Sequence, residues 1–117
     1  MLEMAIGCSK FLREDLVGLG HDVKFFESYD DATDEDWGES DLVILHPPKD
    51  EYKLFDARLM ILRYPGTGMI FVGKPDETTE DRGKTVIVSD GIVFLKKPYF
   101  KEDLQEAIST AIELRRS

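Results

Sequence analysis

A single cysteine, Cys8, is all that the 117-residue chain carries. An internal disulfide and a thiolate zinc site are both excluded. Basic residues are few: 15 lysines and arginines stand against 24 acids, for a formal net charge of −9. A chain of that sign gains nothing from counterion release on a phosphate backbone, so direct nucleic-acid binding is not expected. Attachment to an anionic lipid surface is disfavoured for the same reason. No apolar run approaches the length needed to span a bilayer. No signal peptide is visible either, because Met1 to Ile6 is too short and carries Glu3. The expected setting is the cytoplasm, with no membrane contact.

One stretch lacks apolar residues almost entirely. Between Glu27 and Asp41 only Ala32 and Trp37 are plainly apolar, and acids crowd the rest. A core-facing helix of normal length cannot form there; one turn pinned by Trp37 is expected. The order of acids does not follow the alternation of a calcium loop, so a solvated loop is the reading and no metal site is assigned. A G-x-x-x-x-G-K string from Gly68 to Lys74 is also set aside. Its interior residues, Met, Ile, Phe and Val, belong in a strand, and Pro75 stands where a hydroxyl would hold magnesium.

What is present is a regular alternation of elements. Leu2 to Ile6 reads as a strand, with Ser9 as a helix cap and Leu12, Leu16 and Leu19 at helical spacing. Val23 and Phe25 share one face of a second strand, with Phe26 on the other. Leu42 to Leu45 is a continuous apolar run, as in a strand covered on both faces. A helix from about Asp50 to Arg63 is expected to turn Leu54, Phe55, Leu59 and Leu62 inward. Met69 to Val72 is another buried strand. Thr85 to Val88 and Ile92 to Leu95 flank Asp90-Gly91, a strong hairpin signal. Leu104, Ala107, Ile108, Ala111 and Ile112 form the apolar stripe of a last helix. The pattern predicts one α/β domain over 1–117. Its form is a three-layer open parallel sheet in the order 2-1-3-4-5, with Thr85–Val88 as an antiparallel addition.

The strings DLVILHPP, PGTGMIFVG and IVFLKKPYFKEDLQEAI together resemble the receiver domain of response regulators. That resemblance implies a flavodoxin-like fold, here with reduced second and fourth helices, and a role in two-component signal transduction. It also locates a site. Lys97, before Pro98, corresponds to the receiver lysine, and Phe94 to the aromatic switch. The magnesium-binding acid pair is replaced by Gly7 and Cys8, or by Cys8 and Ser9. The phospho-accepting aspartate is replaced by His46, and the switch hydroxyl by Gly73. Phosphoryl transfer needs a nucleophile and a divalent cation, and neither the acid pair nor the aspartate is present.

The expectation is therefore a degenerate member, a pseudo-receiver, with no catalytic residues, no cofactor and no metal. It would act through protein contact, with a homodimer through the Thr85–Leu95 hairpin and the last helix as one form. The alternative is a small-ligand binder or enzyme using Cys8, His46 and Lys97 at the strand ends. His46 can be read as a phosphoryl acceptor or as a structural histidine on a backbone carbonyl. Cys8 can be read as a thiol activated by Lys97 or as an inert strand-end thiol. Lys97 itself can bond strand-end carbonyls or extend to solvent.

Overall fold

The computed structural model describes residues 3–7, 10–27, 31–46, 54–73, 83–89 and 91–115, and the side chains of 54–57 are not among what it describes. The β-branched and apolar runs become six strands: β1 (Glu3–Ile6), β2 (Val23–Phe26), β3 (Leu42–Leu45), β4 (Gly68–Val72), β5 (Val86–Ser89) and β6 (Ile92–Leu95). They form one sheet in the order β2-β1-β3-β4-β6-β5. All neighbours are parallel except β5 and β6, which are antiparallel with Ser89 opposite Ile92. The Thr85–Val88 run is thus the antiparallel addition expected of it. Gly91 takes φ +79° in the connection, while Asp90 lies outside the described residues.

The helices are α1 (Lys10–Gly18), α2 (Asp34–Glu39), α3 (Leu54–Arg63) and α4 (Lys101–Leu114). They lie on both faces of the sheet, giving an open, mostly parallel α/β architecture. On one face Leu12 and Leu16 of α1 and Leu104, Ala107, Ile108 and Ala111 of α4 pack on Ala5, Leu42, Ile44, Ile70, Val72, Val93 and Leu95. On the other, Trp37 of α2 and Met60 of α3 pack on Met4, Ile6, Val43, Leu45, Met69, Phe71, Ile92 and Phe94. Strand alternation assigns neighbouring residues to opposite clusters. Each large side chain so buried contributes about 1.5–3 kcal/mol relative to exposure.

The acid-rich stretch does yield a short helix. Thr33 and Asp36 form a reciprocal capping box, with Asp36 N–H donating to Thr33 Oγ1 and Thr33 N–H to Asp36 Oδ2. Trp37 anchors it, 1% exposed and stacked on Tyr64 at 6.0 Å between centroids. It is six residues long, slightly more than the single turn expected.

Two expectations need correction. In α3 the inward residue is Met60, with Ile61 partly buried, while Leu59 and Leu62 are 48% and 78% exposed. Leu59-Met60-Ile61-Leu62 is apolar all round the helix, so its periodicity carries no phase. The neighbouring Trp37 and the sheet set it instead. The positions before Leu54, and the side chains of Leu54 and Phe55, lie outside the described residues. Glu3, expected only to interrupt a strand, is buried, and His21 Nδ1 lies 2.9 Å from its Oε1. The irregular stretch expected from Asp76 to Lys84 lies, as far as position 82, outside the described residues. No helix among the described residues is long and apolar enough to cross a membrane.

Candidate functional site

In an open parallel sheet, sites form beyond the carboxyl ends of the strands. Here those ends carry Gly7 after β1, His46 after β3, Gly73 after β4 and Lys96-Lys97 after β6. Cys8, the other half of the expected acid-pair position, lies outside the described residues, as does Ser9.

The parallel register draws Gly7 and His46 together. His46 N–H donates to the Ile6 carbonyl at 3.0 Å, continuing the β1–β3 ladder. The His46 side chain then reaches the Gly7 carbonyl, with Nδ1 at 3.1 Å from the oxygen. A carbonyl only accepts, so Nδ1 carries the proton and Nε2 keeps its lone pair. The bond to a backbone carbonyl expected of a structural histidine is present. Burial lowers the His46 pKa first, and the positive charge of Lys97 lowers it further; the bond to Gly7 opposes both without reversing them. The ring is accordingly neutral at pH 7.

Gly73 closes the pair β4–β6, its N–H donating to the Leu95 carbonyl at 2.9 Å. Its φ is +154°, a conformation that residues with a Cβ rarely adopt, and a Cβ there would meet the Phe71 ring at 3.2 Å. A serine or threonine at this position would strain the backbone. Phe94 is fully buried, tilted against Phe71 at 5.7 Å, and belongs to the core on the α2–α3 side.

Lys97 is exposed, and its amino group has no hydrogen-bond or ion-pair partner among the described residues. Among the described residues it bonds no strand-end carbonyl. The Lys97–Pro98 peptide is cis. Beyond it the chain enters α4, where the Asp103 carboxylate accepts the Phe100 N–H at 2.8 Å. Lys97, Pro98 and Tyr99 form one wall of an open cleft of about 600 Å³, and Phe11 and Asp15 of α1 form the other.

Sequence inspection missed that second wall. A signal was available, since Phe11 is a large apolar residue out of phase with Leu12 and Leu16, and it is 77% exposed. The fold therefore joins Gly7 to His46 and sets Lys97 within electrostatic range of that histidine. It leaves Phe94 in the core. Among the described residues no group of three or more histidines, cysteines, aspartates or glutamates is placed to hold a metal ion.

Chemically, the strand ends offer the His46 imidazole, bonded through Nδ1, and the ammonium groups of Lys96 and Lys97. No carboxylate is contributed by positions 7, 46 or 73. An oxygen cage for magnesium cannot be assembled from those three residues. No protein-family model matches the chain, and neither a curated protein nor a solved structure is significantly similar to it.

Proposed function

We propose that the chain is a pseudo-receiver: a non-catalytic regulatory module, cytoplasmic, that works by protein–protein contact. The observation that carries this reading is the state of His46. At the place of a phospho-accepting aspartate stands an imidazole committed through Nδ1 to the Gly7 carbonyl and held neutral beside Lys97. The order of the parallel strands, β2-β1-β3-β4-β6, supports the flavodoxin-like, receiver-like part of the reading. So does Lys97 at the end of β6. Fold alone does not give function; the support comes from the chemistry of the strand ends, which favours contact over phosphoryl transfer. The partner face is the hairpin β5–β6 with α4, and a homodimer is one form of it.

The test is direct. Acetyl phosphate should leave the mass of the protein unchanged. Magnesium with beryllofluoride should leave the amide resonances of His46 and Lys97 in place. Resonances that move around Lys97 only when both reagents are present would overturn the non-catalytic reading.

A second reading rests on the cleft between Phe11, Asp15, Lys97, Pro98 and Tyr99, whose volume falls in the range of small-molecule sites. In that reading the protein is a small-ligand binder, or an enzyme working with His46, Lys97 and Cys8. Ligand-observed NMR with a fragment set separates the two. Saturation transfer competed away by a Lys97→Met and Tyr99→Ala double variant would favour the cleft.

A further inference from the structure

β5 ends the sheet, and its hydrogen-bonding pattern specifies what it exposes. Lys96 N–H donates to the Thr85 carbonyl, so Thr85 and Lys96 are a hydrogen-bonded pair of the β5–β6 ladder. Bonded and non-bonded pairs alternate along an antiparallel ladder. Ile87 and Ser89 therefore bond to β6, while Val86 and Val88 turn their N–H and C=O groups outward. Among the described residues those outward groups have no partner. Val88 is also 49% exposed at its side chain. A strand edge of this kind is normally blunted by charge, proline or a bulge. Thr85-Val86-Ile87-Val88-Ser89 contains none of these.

We infer that β5 pairs antiparallel with β5 of a second copy of this chain, about a two-fold axis at Ile87. This rests on the protein-contact reading above and names the partner. The choice of a second copy comes from the strand itself, which is nearly the same read in either direction: hydroxyl, valine, isoleucine, valine, hydroxyl. Centring on Ile87 sets Val86 opposite Val88 of the second copy, and both are outward-bonding positions. Every outward N–H and C=O on the two valines then finds its acceptor or donor. A register shifted by one residue would oppose outward groups to inward ones and satisfy none.

The side chains agree with this register. Paired residues share a face, so Val88, half exposed in the single chain, is covered by Val86 of the second copy. Ile87 meets its own counterpart on the other face. The paired segment is uncharged, so the acidic net charge places no like charges opposite each other within it. The result is one isologous, continuous sheet across two copies.

The experiment uses the full chain. Light scattering and sedimentation across a concentration series should give a dimer for the wild type. Val88→Lys, a change at a half-exposed position, should weaken that dimer at least tenfold while leaving the far-UV circular dichroism unchanged. Val86→Pro, which removes one outward N–H, should do the same by a different route. Amide exchange at Val86 and Val88 should be slow in the dimer and fast on dilution.

A wild type that remains monomeric at millimolar concentration would overturn the inference. So would a dimer that both folded variants retain, or slow Val86 and Val88 amides in a monomer, which would show the edge covered from within the chain. None of these outcomes touches the acetyl phosphate result, so failure of self-pairing is distinguishable from failure of the pseudo-receiver reading.

Discussion

His46 links a single side chain to the pH dependence of the whole fold. Its pKa lies below the ordinary value of 6.5, chiefly through burial and secondarily through Lys97. The unfolded chain therefore binds a proton more readily than the folded one in the window below 6.5. The stability tied to the neutral ring is fully present above 6.5 and is lost as pH falls through the depressed folded value. Urea denaturation of the wild type at pH 7.5 and pH 5 should give a lower midpoint at the acid end. His46→Asn should flatten that difference, because its side chain does not titrate and its amide can still donate to the Gly7 carbonyl. An unaltered pH dependence in the variant would show that His46 is not the responsible group.

α4 passes close over β4 at Gly68. A Cβ on Gly68 would come within 2.6 Å of the Ala111 carbonyl oxygen and 3.0 Å of its carbon. Those are backbone atoms, which cannot rotate aside as a flexible side chain would. Gly68 also donates its N–H to the Asp41 carbonyl at 2.8 Å, so β4 is not free to retreat. Gly68→Ala should destabilise the protein by about 1–3 kcal/mol, the usual range for overpacking. Chemical denaturation measures it. A change under about 0.5 kcal/mol would mean that α4 slides without cost. The same region shows why the G-x-x-x-x-G-K string has no phosphate loop: its first glycine opens a strand beneath a helix, and Met69 to Val72 are buried in that strand.

At the scale of the whole molecule the two hydrophobic clusters share one sheet. Leu42 and Ile44 face one way, and Val43 and Leu45 the other. Ile70 and Val72 divide from Met69 and Phe71 in the same manner. Neither side can lose its packing without exposing strands that the other side needs, so unfolding should be a single cooperative event. Trp37, the one tryptophan, reports on the α2–α3 side, and far-UV circular dichroism reports on all helices. The two transitions should coincide in urea. An earlier tryptophan transition would show that α2 and its acid-rich surroundings open separately.

Residues alone determined whatever depends on neighbours a few positions away. The continuous apolar run of Leu42–Leu45 and the β-branched run of Thr85–Val88 specify strands. The alternation of Val23, Phe25 and Phe26 divides them correctly between the two faces. The stripe from Leu104 to Ile112 has one phase only, and its members are buried or partly buried as that phase requires. Asp90-Gly91 between apolar runs specified the antiparallel pair.

Tertiary structure decided the rest, because the partners lie far apart in sequence. The phase of α3 follows from Trp37 and the sheet, since four successive apolar residues offer no period of their own. The burial of Glu3 depends on His21, which is brought beside it by the β1–β2 crossover. The tie of His46 to Gly7 depends on the β1–β3 register. The cleft exists only because α1 and the chain after β6 lie side by side, placing Phe11 and Asp15 across from Lys97. A local pattern carries a period and a preference; it does not carry the register between strands, and register is what brings those groups together.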